Sequence, residues 1–129
     1  MFMKYINSVN KCELDRLLSY QKLFKKFFKK YVKINLKNIE RKLKKIVHQG
    51  SQKLNVDTIL PKTIKDMTLE VDLRESIEKE LKEYLSARGF YVRKKSVFDI
   101  SISWGSEAEH QKEIDEMLMQ DENDVNEEE

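Results

Sequence analysis

The first 49 residues contain neither glycine nor proline, and this uninterrupted stretch constrains the fold more than any other feature of the chain. Glycine and proline are the residues that most often interrupt helices, so their absence favours long helical segments. When residues 20–34 are placed on a helix at about 100° per residue, apolar and charged side chains fall on opposite sides. The apolar side is mostly aromatic and consists of Tyr20, Leu23, Phe24, Phe27, Phe28, Tyr31 and Ile34. The opposite side consists of Lys22, Lys25, Lys26, Lys29, Lys30 and Lys33. The pattern predicts a strongly amphipathic helix.

The rest of this basic segment, residues 1–49, continues the helical pattern with one ambiguity. Residues 32–36 alternate apolar and polar side chains, which would also suit a short strand. Residues 39–47 then resume helical spacing, with the apolar stripe rotated relative to the first part. We therefore expect two helices, or one bent helix, ending near residue 48 with Gly50 as the C-terminal stop.

A second structural unit follows a short connector. We assign residues 50–62 to the connector, with one buried anchor at Ile59 or Leu60, and residues 63–104 to a helix followed by a β-hairpin. The helix is expected to begin at a capping residue, Asp72, and to end at a left-handed glycine, Gly89.

The hairpin is predicted from alternation of side chains. Residues 90–92 and 97–104 form its two strands, joined by a basic turn at residues 93–96, and residues 67–71 could add a third strand. Apolar and polar residues alternate strictly in the second strand, which is typical of a half-buried strand. The residues expected to point inward are Phe98, Ile100, Ile102 and Trp104.

Charge is distributed very unevenly along the chain. Residues 1–53 hold 15 Lys or Arg and 3 acidic residues, whereas residues 96–129 hold 1 and 12, although the formal net charge is only +2. We expect residues 105–129 to form an acidic flexible tail, with at most a weak helix over residues 108–119 and disorder from residue 121 onward. The predicted fold class is α+β, with long basic N-terminal helices packed on a helix plus a small antiparallel hairpin.

The sequence lacks the motifs of common catalytic and metal sites. A single cysteine, Cys12, excludes an intramolecular disulfide and a cysteine-rich zinc site. The two histidines, His48 and His110, lie in different segments without metal-ligand spacing, and the three glycines are too far apart to form a phosphate-binding loop. No secretory signal follows Met1 and no apolar run approaches about 18 residues. We expect a non-enzymatic, intracellular protein without cofactor or metal, located in a host cytoplasm or a virion.

The block at residues 81–104, LKEYLSARGFYVRKKSVFDISISW, combines a helix ending in glycine and an aromatic residue with a hairpin that closes on Ile-Ser-Trp. This block resembles uncharacterised small accessory proteins of bacteriophages and large DNA viruses. The resemblance covers about a fifth of the chain. It implies an α+β unit and a viral accessory or virion-associated origin, and it implies neither an activity nor catalytic residues.

The lysine side of the first helix is the main candidate for binding. Lysines that neutralise phosphates release counterions, which gives salt-sensitive binding to nucleic acid. Lysine lacks the bidentate fork with which arginine recognises guanine, so binding should be non-specific. The predicted nucleic-acid-binding residues are Lys22, Lys25, Lys26, Lys29, Lys30, Lys33 and Lys37.

Two other kinds of partner remain open at this point. The aromatic residues Phe24, Phe27, Phe28 and Tyr31 could dock on a protein partner or a second copy, which would make the chain an adaptor or particle component without phosphate contacts. A lysine-rich amphipathic helix also suits an anionic membrane surface, although the second unit needs the same helix to cover its apolar side.

The acidic tail could fold back and compete with phosphate, or could act only as a solubility tail. The leading hypothesis is a non-catalytic accessory or structural protein that assembles with nucleic acid.

Overall fold

The computed structural model of the chain describes the backbone of residues 11–128 and the side chains of residues 13–120. Within that range the fold is α+β, with three helices and one three-stranded antiparallel sheet. The elements in chain order are α1 (Lys11–Val47), β1 (Lys53–Asp57), α2 (Met67–Ser86), β2 (Tyr91–Lys94), β3 (Asp99–Ser103) and α3 (Gly105–Glu128). The predicted fold class is confirmed.

The long basic segment forms one continuous helix, α1, and the strand-like alternation at residues 32–36 does not interrupt it. Asn35 and Ile39, four residues apart and therefore on one side of the helix, are both buried. Packing of that side against the rest of the protein stabilises the helix more than the local alternation favours a strand. The helix ends at Val47, and Gly50 has a φ of 77°, so the predicted glycine stop is confirmed.

The sheet has the strand order β1-β3-β2, with β3 in the centre. Leu54 and Val56 of β1 pair with Ile102 and Ile100 of β3. Together with Val92 of β2, these side chains form one buried face of the sheet. The prediction that residues 50–62 form a connector with one anchor was wrong, because they contain an edge strand with two buried residues. Two apolar residues in five positions are too short a pattern to be recognised from sequence.

Helix α2 covers this apolar face and begins earlier than predicted. The carboxylate of Asp66 accepts hydrogen bonds from the backbone N–H groups of Thr68, at 2.9 Å, and Leu69, at 3.3 Å, and thereby caps the helix. Asp72 is therefore not the cap, and residues 67–71 form the start of a helix rather than a strand. The buried apolar stripe of α2 consists of Leu69, Leu73, Ile77, Leu81 and Leu85. Gly89 has a φ of 90°, which confirms the left-handed glycine predicted after this helix.

The hairpin matches the prediction in its centre and departs from it at one end. Ile100 and Ile102 point inward and are buried, as predicted. Trp104 is half-buried and packs edge-on against Phe90, with ring centroids 6.0 Å apart. The inward placement predicted for Phe98 was wrong, since this residue is 61% exposed. Phe98 precedes β3, at the rim of the core, where the guanidinium of Arg74 lies 4.9 Å from the centre of its ring.

Helix α3 lies against the second, more polar face of the sheet. Its residues Ala108 and Gln111 are buried, and Asp115 accepts a hydrogen bond from the hydroxyl of Tyr91 and pairs with Arg93 at 3.2 Å. Residues 105–120 therefore form a layer of the fold rather than the predicted flexible tail. The disorder predicted from residue 121 onward falls on residues whose side chains are not described.

Candidate nucleic-acid interface

The seven lysines predicted to bind nucleic acid, from Lys22 to Lys37, are all exposed on α1. We refer to this set as the lysine face. At about 1.5 Å per residue, its first and last members are separated by about 22 Å along the helix axis. The same helix packs its opposite side against α2 and β1. The lysine face therefore forms a long basic surface directed away from the core.

A buried asparagine fixes the middle of α1 to the rest of the fold. The side-chain amide of Asn35 donates to the carbonyl of Ile59 at 2.9 Å, and its oxygen accepts from the N–H of Ile59 at 2.8 Å. The same amide nitrogen also donates to the carbonyl of Tyr31 at 2.7 Å. Because Asn35 is only 2% exposed, these bonds form out of contact with water. This polar attachment holds the lysine face in a fixed orientation relative to the sheet.

A second attachment lies near the N-terminal part of α1. The hydroxyl of Tyr20 donates a hydrogen bond to the carboxylate of Asp72 on α2. This hydrogen bond, together with burial, raises the pKa of Tyr20 to about 12 from its ordinary value of 10.0. The phenol is therefore a neutral donor at physiological pH, and it connects the two helices beside a cleft of about 470 Å³.

The electrostatic environment of the lysine face favours an anionic ligand. Among the side chains of residues 13–120, no acidic group lies within 4.0 Å of a lysine-face ammonium. The ion pair that α1 does contain joins Lys44 to Glu40 at 3.4 Å, beyond the end of the lysine face. Asp72 and Glu75 of α2 line the same cleft as Lys25, one member of the lysine face, without forming an ion pair with it. Neighbouring like charges without ion-pair partners attract phosphate.

The aromatic residues predicted to bind a protein partner have a different environment. Phe24, Phe27, Phe28 and Tyr31 are half-buried and pack against the hydrophobic core. The rings of Phe24 and Phe28 are stacked with centroids 5.8 Å apart, and those of Phe27 and Tyr31 meet edge-on at 6.3 Å. Much of this surface is thus occupied by the protein itself, and its role in binding a partner stays a prediction.

The exposed apolar surface of α1 lies closer to its N-terminus. Leu14, Leu17 and Leu18 are each about half exposed. Leu17 and Leu23 line a cleft of about 510 Å³ that also includes Leu69 of α2. These leucines, rather than the aromatic residues, form the more accessible apolar part of the helix.

Sequence reasoning missed a buried carboxylate at one end of the core. Glu78 of α2 is buried, accepts a hydrogen bond from the hydroxyl of Thr58 at 2.7 Å, and forms an ion pair with Lys94 of β2. The ammonium of Lys94 also donates to the carbonyl of Val97 at 2.9 Å. Glu78 follows the buried Ile77 and lies three residues before the buried Leu81, so helical spacing alone could have placed it on the inner side. The cluster joins α2 to β2 and to Thr58, the residue that follows β1.

The part of the chain that the structure describes has neither a metal-binding cluster nor a membrane-spanning helix. No group of three or more His, Cys, Asp or Glu side chains there could hold a metal ion. No helix in that part is long and apolar enough to span a membrane.

No protein-family model, curated protein or solved structure matches this chain. The geometry and charge of the molecule itself are therefore the basis for a proposed function.

Proposed function

We propose that this protein is a non-catalytic accessory or structural protein that binds nucleic acid through the lysine face without sequence preference. The observation that carries the proposal is the set of seven exposed lysines, spread over about 22 Å of one helix and directed away from the core. Attachment through Asn35 and Tyr20 supports it, because a surface held in place loses less conformational entropy on binding. The proposal also includes assembly within a nucleic-acid-containing particle and the viral origin implied by the resemblance of residues 81–104.

The chemistry of lysine supports low specificity. Each ammonium is a mobile point charge that contacts phosphate oxygens but cannot form the planar, two-bond contact by which arginine distinguishes guanine. The lysine face also lacks aromatic residues on which unpaired bases could stack, since those of α1 pack against the core. Duplex DNA and duplex RNA of any sequence are therefore expected to bind with similar affinity.

A protein–protein adaptor is the second candidate function. The exposed leucines Leu14, Leu17 and Leu18 favour it, because a row of apolar side chains on a helix is a common docking surface for another helix. We do not propose membrane-surface binding, since insertion would require Phe24, Phe27 and Phe28 to leave the core against which they pack.

The experiment is a salt titration of binding to a fluorescein-labelled 20-base-pair DNA duplex of random sequence, followed by fluorescence anisotropy. One variant replaces five lysines of the lysine face with glutamine: Lys25, Lys26, Lys29, Lys30 and Lys33. Each lost phosphate contact lowers the slope of log K against log salt by about 0.9, so the slope should shrink by roughly 4 to 5.

A matched control variant removes the same charge from elsewhere on the surface. It replaces five exposed lysines outside the lysine face with glutamine: Lys62, Lys65, Lys79, Lys82 and Lys95. This control should keep most of the wild-type slope. If both variants lose affinity equally, net charge rather than the lysine face controls binding. If neither variant changes the slope, the adaptor function becomes the better proposal.

A further inference from the structure

The N-terminal part of α1 extends beyond the core with apolar side chains in contact with water. Residues 13–19 are all exposed, although three of them are leucines. Among the described side chains, Tyr20 is the first of α1 that packs against the core, and its hydroxyl donates to Asp72 of α2. About two turns of helix therefore precede the first packed residue. An exposed apolar surface of this kind commonly marks an interaction site.

The three leucines lie on one side of this helical extension. Leu14, Leu17 and Leu18 are 55%, 58% and 49% exposed. At about 100° per residue they fall within an arc of about 100° around the helix axis. We call this set the leucine face. Its width matches the contact surface of a second helix that packs alongside.

Two charged residues flank the leucine face and are opposite in sign. Asp15 and Lys22 are seven residues apart, so they lie on the same side of α1 about two turns from each other. Leu18 lies between them, three residues after Asp15 and four before Lys22. Neither charge forms an ion pair among the described side chains. The surface is therefore complementary in charge to its own reversed copy.

This charge pattern selects the direction in which two copies can pack. In an antiparallel pair with a twofold axis at Leu18, Asp15 of one copy comes within about 1.5 Å, along the helix axis, of Lys22 of the other. Two ion pairs then form across the axis. A parallel pair would place Asp15 beside Asp15 and Lys22 beside Lys22, and would align the two lysine faces, so like charges would repel each other.

We propose that two copies of this chain associate through the leucine face, with their α1 helices packed antiparallel around a twofold axis near Leu18. A second copy is favoured over a different protein because this chain already contains the complementary charges. The contact is short, so it buries less area than a standard interface, and the dissociation constant should be on the order of 100 µM. The association requires no nucleic acid.

One consequence of the pairing rests on the proposed function. The twofold axis is perpendicular to the plane of the two helices, so it leaves the two lysine faces on the same side of the dimer. They extend from the axis in opposite directions, with about 57 Å between the two Lys37 residues. A duplex of about 17 base pairs or more can contact both faces at once, whereas a shorter duplex contacts mainly one.

The first test is sedimentation velocity of the full chain without nucleic acid, from about 10 µM to about 1 mM. The mass should rise from the monomer value of 15.5 kDa toward that of a dimer. The variant Leu14→Ser, Leu18→Ser should associate at least about tenfold more weakly. The control variant Met67→Ser, Val71→Ser, which changes exposed apolar residues of α2, should associate like the wild type. Circular dichroism at 222 nm checks that both variants are folded.

A charge exchange tests the antiparallel arrangement. Asp15→Lys and Lys22→Asp, made separately, should each weaken association about tenfold, because each replaces two attractions with two repulsions. The chain that carries both substitutions has the wild-type net charge, and it should regain association because the ion pairs form with reversed polarity. A parallel pair would not regain it.

A second measurement connects the dimer to nucleic-acid binding. Leu14→Ser, Leu18→Ser should lose more affinity for a duplex of about 20 base pairs than for one of about 10 base pairs, because only the longer duplex reaches both lysine faces. A wild-type dimer that does not bind nucleic acid would support this inference and overturn the proposed function instead. A monomer at every concentration, unchanged association of the leucine variant, or a combined charge variant as weak as the single ones would each overturn the antiparallel dimer.

Discussion

Replacing Asn35 with alanine should destabilise this protein more than any other single change of a polar residue in α1. The substitution removes the three hydrogen bonds that the side chain makes to the backbone of Tyr31 and Ile59. It also leaves the N–H and C=O groups of Ile59 without partners in a half-buried position. A buried backbone group that loses its partner costs about 1–3 kcal/mol.

Two such groups would cost about 2–6 kcal/mol, and two effects lower that figure. Ile59 is only half-buried, so water can replace part of the lost bonding. Alanine is also a better helix former than asparagine by up to about 0.7 kcal/mol. We therefore expect Asn35→Ala to lower the free energy of unfolding by about 2–3 kcal/mol.

Asn38 provides a matched control on the same helix. Asn38 is also buried, at 9% exposed, but its side-chain oxygen accepts a single hydrogen bond from the exposed Arg41 at 3.0 Å. Asn38→Ala has the same change in helix propensity and should cost no more than about 1 kcal/mol. Urea denaturation followed by circular dichroism at 222 nm measures both variants. If Asn35→Ala is no more destabilising than Asn38→Ala, the Asn35–Ile59 attachment does not hold α1 in the way described.

Three further predictions follow from burial, titration and charge. Ile102→Ala should lower the free energy of unfolding by about 2–5 kcal/mol in urea denaturation, because this side chain is fully buried. Phe98→Ala should lower it by less than about 1 kcal/mol, because this side chain is mostly exposed. Similar losses of stability in the two variants would contradict the placement of Phe98. Burial and the hydrogen bond to Asp115 raise the pKa of Tyr91 to about 12, as the hydrogen bond to Asp72 and burial do for Tyr20. The stability contributed by these phenols is present below pH 10 and is lost as the pH rises toward 12. The double variant Tyr20→Phe, Tyr91→Phe should therefore show a flatter decline in unfolding free energy over that window. An equally steep decline would show that neither phenol is responsible. If the acidic tail competes with phosphate, deletion of residues 121–129 should tighten nucleic-acid binding at low salt, and the gain should fade at high salt. Equal affinities of the full-length and truncated proteins throughout an anisotropy titration would show that the tail does not have this role.

Local patterns in the sequence were sufficient to predict the structure wherever one short segment determines its own geometry. The separation of lysine and aromatic residues on α1 follows from helical periodicity, and the exposure of the lysine face could be predicted from it without a structure. The helix stops at Gly50 and Gly89 could also be predicted, because a left-handed residue after a helix strongly favours glycine. The inward direction of Ile100 and Ile102 follows from the period of two in a strand.

The remaining features depend on residues that are far apart in the chain. Strand β1 exists because Leu54 and Val56 complete an apolar face whose other half lies more than 40 residues later, so no local window contains the signal. Helix α3 has an acidic composition that predicts a flexible segment, yet Tyr91 and Arg93 on the polar face of the sheet bind its Asp115 and hold it in place. The cleft lined by Lys82, Val92 and Met119 likewise forms only when α2, β2 and α3 come together, because its walls belong to segments that are distant in the chain and have no shared sequence pattern.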